Sequence, residues 1–392
     1  MSSGYKFPIL DSSGNPTSNI VDMKDMFVPK ELFNDSGIFS WGYNGSGQLG
    51  LDNTSDVSSP VQVGSLTNWK SISNCLSSSY SIKTNGTLWS WGQNTYGQLG
   101  VGDTTNRSSP VQVGTLTNWK QVYGGREYIL GINTDGTLWS WGQNTYGQLG
   151  VGDTTNRSSP VQVGSLTEWK QVSTSMHSLG IKTDGTLWSW GYNNVGQLGL
   201  GDITHRSSPV QVGSLTNWKY VSCGFYHTLG IKTDGTLWSW GQNNFGQLGL
   251  GNITHRSSPV QVGSLTNWKQ VSCGSSLSDS SGSSLGISSD GTLWSWGNNT
   301  YGQLGLGDIT HRSSPVQVGS LTNWKFVDCG MNSFSCAIKL DRTMWCWGRN
   351  SQGQLGLGDI THRSSPVQVG SFTNWKQVST GEYYGVGITL SD

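Results

Sequence analysis

The chain has 392 residues, with 56 Gly, 20 Trp and only 12% charged side chains. Lys plus Arg and Asp plus Glu number 23 each, a balance that argues against a nucleic-acid binder or an anionic membrane surface as partner, since both need clustered excess cations. An aromatic content of 11% argues against a disordered chain.

In chain order, residues 1–36 come first and differ in kind from the rest. They contain three Pro, no Trp, no apolar run of signal-peptide length, and small apolar clusters that include Phe7, Ile9, Leu10, Met26 and Phe27. DMKDMF suits one helical turn stopped before Pro29. Such an arm either packs under its own domain or orders on another protein, as an anchoring peptide does.

From residue 37 the chain repeats. Trp-Gly begins at Trp41, Trp91, Trp141, Trp190, Trp240, Trp296 and Trp347, and residues 86–114 and 136–164 are identical over 29 positions. One repeat carries four strand signals: WKQVS, LGIK, TLWSWG and PVQVG. Asn-Gly or Asp-Gly between the second and third, as at Asn85-Gly86, predicts a two-residue hairpin with both turn residues at positive φ. In TLWSWG, Trp89 and Trp91 share a face and are expected to fill the blade interfaces. A Gly-rich loop, GQNTYGQLGVGDTTNRSS, precedes the last strand. It is no phosphate loop, because no Lys-Ser/Thr or helix follows.

Four antiparallel strands at a period of about 50 residues predict propeller blades. The chain enters at GIFSWG, a third strand, and leaves after YGVGIT, a second strand. The expected fold is therefore all-β: a seven-bladed β-propeller of four-stranded antiparallel blades over residues 37–392, its closing blade assembled from both termini.

The six cysteines lack metal-type spacing and read as small apolar fillers in a reducing compartment. Counted back from a turn at Asp341-Arg342, Cys336 should face Trp347 and Ala337 should face Cys346. That register forbids a Cys336–Cys346 bridge and predicts six free thiols, four of them near inner strand ends.

The pattern L-W-S-W-G-x-N-x-x-G-Q-L-G-x-G-D, then S-P-V, W-K-x-V and G-x-x-H-x-L, resembles the regulator of chromosome condensation repeat. The resemblance implies a seven-bladed propeller. It leaves function open, since that family includes a nucleotide-exchange factor for a nuclear GTPase and a bacterial β-lactamase inhibitory protein. The leader from Tyr5 to Phe33 also resembles that of propeller proteins encoded by marine bacteriophages.

Polar motifs are mostly copied from repeat to repeat, whereas a catalytic site needs one asymmetric constellation. Asp202-x-x-His205-Arg206 reads as a self-satisfied loop and not a metal site, and His177 and His227 as structural groups. No enzyme activity, metal or cofactor is expected. Variation concentrates between the first and second strands, in loops that must share one ring face. These loops carry Arg126, Glu127, Tyr128, Phe225, Tyr226, Met331, Phe334, Glu382, Tyr383 and Tyr384, the residue types of recognition surfaces. Loops under no constraint would vary too.

The resulting expectation is a binding propeller carried in a bacteriophage virion. Residues 1–36 would dock on other virion proteins, and the variable loops would meet a host surface or a neighbouring subunit, with no nucleic acid and no membrane insertion. The alternatives are a cytoplasmic regulatory propeller acting on a GTPase, and an enzyme-inhibitor propeller.

Overall fold

The computed structural model describes residues 6–10, 16–22, 37–275 and 281–390. Lys6–Leu10 pairs antiparallel with Pro16–Asp22 in a separate two-stranded sheet. Phe7, Ile9 and Leu10 lie on its first strand, while Met26, Phe27 and most of the expected helical turn lie outside the described residues.

All other strands among the described residues form seven four-stranded sheets. In the blade of Trp119–Gly124, Tyr128–Asn133, Leu138–Gly142 and Arg157–Gln162, consecutive strands are neighbours, and the first lines the central channel. The closing blade is composite, as expected. Trp375–Thr380 and Tyr384–Thr389 are completed by Ile38–Gly42 and Val57–Gln62, with Ile38 facing Ile388 and Gly42 facing Tyr384. The Thr389 N–H donates to the Gly37 carbonyl at 3.1 Å where other blades have a turn.

That turn differs from the expectation. Asn133 N–H donates to Thr137 O at 3.1 Å and Gly136 N–H to Asn133 O at 3.0 Å, so the loop has three residues, not two. Only its last residue takes positive φ: Gly136 at 81°, and Arg342 at 64° where one repeat lacks the glycine. The extra loop residue moves the register by one. Cys336 therefore faces Cys346, and Ala337 faces Trp345. The two cysteines, with Cα atoms 4.2 Å apart, form a disulfide, so the expectation of six free thiols is corrected. Cys75, Cys223, Cys273 and Cys329 are free and buried near the ends of the innermost strands.

The blade interfaces explain the Trp-Gly dipeptide. Trp141 is fully buried, its ring 5.7 Å from that of Trp119, and its Nε1–H donates to Gln98 O of the preceding blade at 2.8 Å. Burying about 200 Å² of such a ring contributes roughly 5 kcal/mol gross. Trp139, two residues earlier, is only half-buried, its indole N–H bonded to Thr137 Oγ1 at 3.0 Å. Gly142 has φ of 102°, and a Cβ there would sit 2.6 Å from Glu127 O, so no other residue fits between the strand end and the neighbouring loop.

The innermost strands would expose unpaired edges to the channel. Side chains of the preceding blade cap them instead. Ser73 Oγ accepts the Gly124 N–H at 3.0 Å, Ser173 Oγ the Cys223 N–H at 3.0 Å, and Gln377 Nε2 donates to Ile72 O at 2.9 Å. No helix among the described residues is long and apolar enough to cross a membrane.

Candidate functional site

Strand register places all seven variable loops on one end of the ring, beside the loops that follow each Trp-Gly; Tyr128 facing Gly142 is one instance. We term this the loop face, and the opposite end, with the hairpin turns, the turn face. The variable loops are tied to one another. Glu382 N–H donates to Leu76 O at 3.1 Å, Leu76 N–H to Arg126 O at 3.2 Å, and Arg126 N–H to Ser175 O at 2.9 Å. On the other side Met331 N–H donates to Gly381 O at 3.0 Å, and Phe225 N–H to Ser275 Oγ at 2.8 Å. Leu76, Met176 and Phe225 meet in a buried apolar cluster over the channel, with Tyr146, Tyr192, Tyr226 and Met331 packed against it.

Around this cluster the face divides in two. One arc is charged. Arg349 Nη1 donates to Asn332 Oδ1 at 2.8 Å, and Asn332 Nδ2 to Glu382 Oε1 at 3.4 Å. The Arg349 guanidinium also lies 4.9 Å from the Tyr301 ring and 5.2 Å from that of Tyr383. Burial pushes the Glu382 carboxyl above the usual range, opposed by the Asn332 hydrogen bond and by Arg126 and Arg349. Burial raises Glu127 likewise, opposed by Arg126 and a bond from Gln143. The other arc is aromatic. Tyr192 stacks on His205 at 5.0 Å, meets Tyr146 edge-on at 4.7 Å and reaches Tyr226 at 5.9 Å.

Of the residues expected on a binding face, Arg126, Tyr226, Met331, Glu382 and Tyr383 are half-buried on the loop face. The rest face inward. Tyr128, Phe334 and Tyr384 are fully buried at the first position of a second strand, where the side chain crosses to the next blade. Tyr128 Oη donates to His177 O at 2.8 Å and Tyr384 Oη to Ser78 O at 2.7 Å. Phe225 belongs to the buried cluster, and the Glu127 side chain is 8% exposed. His177 and His227 occupy the same strand position as Tyr128. Their Nε2 atoms pair with Thr228 Oγ1 at 2.8 Å and Ser284 Oγ at 3.1 Å, and burial lowers both to about 3, which keeps them neutral.

Sequence reasoning missed Arg349, Asn332, Tyr192, Tyr146 and Tyr301. The available signal was the position after Trp-Gly, which reads Tyr43, Gln93, Gln143, Tyr192, Gln242, Asn298 and Arg349 within an otherwise copied loop.

The Asp-x-x-His-Arg run is local architecture. Asp202 Oδ2 pairs with Arg206 Nη2 at 2.6 Å, Asp202 Oδ1 accepts Thr204 N–H at 2.8 Å, and His205 Nδ1 accepts Asn193 N–H at 2.9 Å. Asn106 Oδ1 accepts the equivalent Asn94 N–H at 2.9 Å, so His and Asn interchange because each offers one acceptor at the same place.

In the channel the position held by Ser73, Ser173 or Ser379 is an aspartate in one blade. Asp328 Oδ2 accepts both N–H and Oγ1–H of Thr380 at 2.8 Å. Burial still raises its carboxyl from 3.8 to about 6.

Comparison with known proteins agrees with this geometry. The regulator of chromosome condensation (RCC1) repeat matches seven times, at residues 35–81, 85–132, 135–179, 184–231, 234–278, 290–338 and 343–388. The Xenopus laevis "Protein RCC2 homolog" is 43% identical over 89 residues, 22% of this chain and 17% of that protein. The Arabidopsis thaliana ultraviolet-B receptor UVR8 is 37% identical over 84 residues, 21% of this chain and 19% of the receptor. The human probable E3 ubiquitin-protein ligase HERC3 is 37% identical over 113 residues, 27% of this chain and 11% of the ligase. These matches thus span under a fifth of each relative. Among solved structures, human WBSCR16 superposes with a TM-score of 0.79 at 21% identity, over 91% of this chain and 99% of that one. Yeast RCC1 (Prp20), solved bound to Kap60, gives 0.80 at 21% identity, over 91% and 90% of the two chains. With seven matched repeats, seven blades and a ring closed by both termini, the chain belongs to the regulator of chromosome condensation (RCC1) repeat family.

Proposed function

We propose that this chain is a non-enzymatic regulatory propeller that engages a protein partner through its loop face, with a GTPase as the favoured class of partner. The observation that carries this reading is the asymmetry of that face. Where seven near-copies diverge, a charged arc of Arg126, Glu382 and Arg349 lies beside an aromatic arc of Tyr146, Tyr192 and Tyr226, on loops hydrogen-bonded to one another. Half-buried aromatics and arginines held in place suit recognition, because little side-chain entropy remains to be lost. The GTPase class is favoured by relatives alone. A solved structure of Prp20p, similar at 20% identity and a TM-score of 0.78, is described with its binding to Gsp1p and histones. The zero net charge of this chain favours a partner other than histones. These relatives favour the regulatory alternative over the virion reading, and no feature of the loop face favours a particle.

The test is release of a fluorescent GDP analogue from small GTPases of the same source, with the wild type and with Arg126→Ala/Tyr226→Ser/Tyr383→Ser. Acceleration by the wild type and its loss, at unchanged thermal stability, in the triple variant supports the reading. Release that no GTPase shows, or that the variant keeps, refutes the GTPase assignment.

A further inference from the structure

The opposite end of the ring has its own chemistry. Every innermost strand opens on Trp-Lys, and a bulge makes the lysine the extra residue. Trp169 faces Lys182 and Gln171 faces Ile181, which leaves Lys170 between them without a cross-strand partner. The same shift recurs in the other blades. Lys70, Lys120, Lys170, Lys219, Lys269, Lys325 and Lys376 are all exposed, and they encircle the turn-face mouth of the channel. A chain with balanced charge therefore concentrates seven of its 23 cations in one ring.

Few carboxylates stand near that ring: the exposed Glu168 lies two residues before Lys170, and Asp328 lines the channel within. Among the described residues the ion pairs are Arg–Asp pairs within the Gly-rich loops, such as Arg107–Asp103 and Arg312–Asp308. The aspartates of the turn face sit farther out, in the hairpin turns, and are engaged there: Asp135 Oδ1 accepts the Thr137 N–H at 3.0 Å and its Oγ1–H at 2.7 Å. Lys376 Nζ donates to the Lys70 carbonyl at 2.9 Å, and its ammonium is lowered by burial and by the charge of Lys70. The mouth opens on a cavity of about 480 Å³ that Lys120 helps to line, and Met331, which packs against Leu76, Met176 and Phe225, lines it as well.

A ligand for this mouth must be compact, because it must carry many charges within one ring diameter. An acidic peptide spreads its carboxylates along the chain at roughly 3.4 Å per residue. A phosphate monoester carries up to about two charges on three acceptor oxygens, and lysine serves phosphate as a point charge. We propose that the seven-lysine ring at the turn-face mouth is a binding site for a compact cluster of phosphate monoesters. Two sources offer that chemistry: a soluble inositol polyphosphate and a polyphosphoinositide headgroup. The second would find exposed apolar side chains on the same face, since Leu116, Leu166, Leu215 and Phe372 are each 39–46% exposed in the connections leading to the innermost strands. This site is independent of the loop face.

The test uses the full chain at 0.15 M salt. Inositol hexakisphosphate at about a hundredfold over its Kd should raise the melting temperature by roughly 2–4 °C, with one ligand per chain by calorimetry. Lys70→Gln/Lys219→Gln/Lys325→Gln should bind about tenfold or more weakly. Its own melting temperature should match or exceed the wild type, because like-charge repulsion is relieved. The corresponding triple Lys→Arg variant should retain binding. Vesicles containing phosphatidylinositol 4,5-bisphosphate, compared with phosphatidylserine vesicles of equal charge, distinguish the sources. Binding to the soluble compound supports the site with a free ligand, and binding to the bisphosphate vesicles alone supports it with a lipid. The proposal is overturned if neither binds, if the Lys→Gln variant binds as the wild type does, or if sulfate at equal charge gives the same shift. Because the GDP-release variant alters only the opposite face, failure here leaves that reading standing, and the reverse holds too.

Discussion

Replacing Asp328 by Ser should change stability with a sign that depends on pH. At the same position Ser379 Oγ accepts the Asn74 N–H at 3.0 Å and Ser222 Oγ the Cys273 N–H at 3.1 Å, so serine can still serve Thr380 N–H. The carboxyl of Asp328 is raised from 3.8 to about 6 in the folded protein, chiefly by burial. Well below pH 3.8 it is protonated in both states and contributes no pH dependence. Between 4 and 6 the unfolded chain ionises first, so wild-type stability falls as pH rises, and above about 6 the loss is complete. About two pKa units correspond to roughly 3 kcal/mol, and solvent reaching the channel reduces that to about 1.5–3 kcal/mol. Loss of the Thr380 Oγ1 bond costs the variant about 0.5–1 kcal/mol at every pH. The variant should therefore be slightly less stable than wild type at pH 4 and about 1–2 kcal/mol more stable at pH 7.5. Urea unfolding of both proteins at the two pH values measures this. A difference between them that does not change with pH, or that favours the wild type at pH 7.5, refutes the assignment of a raised, burial-dominated carboxyl.

Buried neutral His177 and His227, held down to about 3, should make wild-type stability fall as pH drops below 6.5, the opposite trend to Asp328. His177→Gln/His227→Gln should flatten that acid limb in pH-dependent thermal melts. Gly142→Ala should destabilise by about 2 kcal/mol or more in urea unfolding, since its Cβ would sit 2.6 Å from Glu127 O at a φ of 102°. Mass spectrometry of the unreduced, alkylated and denatured protein should find Cys336 and Cys346 joined and four thiols labelled. Six labelled thiols would contradict the Cys336–Cys346 bridge.

The blades were legible because the repeat is nearly literal, and strand alternation correctly assigned Trp91 and its equivalents to the interface. Ring closure followed from the phase of the repeat at Ile38 and Thr389. The errors share one cause, the fine register of short connections. Asp-Gly between strands suggested a two-residue turn, but the hydrogen bond from Asn133 N–H to Thr137 O encloses three, and that single residue decides whether Cys336 meets Cys346. The same uncertainty put Tyr128, Phe334 and Tyr384 on the loop face, when each begins a strand and points into the next blade. Arg349 and Tyr192 were hidden for a different reason. They stand at the one varying position of an otherwise copied loop, whose repetition suggested scaffold, and the packing places that position on the same face as the variable loops.

The central claim is that partner recognition belongs to the loop face. A photo-crosslinking residue placed in turn at Tyr226, Tyr383 and Leu166, in cells of the protein's own source, tests it most directly. Tyr226 and Tyr383 lie in different arcs of the loop face, and Leu166 is 45% exposed on the turn face. The account predicts one shared crosslinked protein from positions 226 and 383 and none from 166. The same protein captured from position 166 alone, or equally from all three, would contradict it.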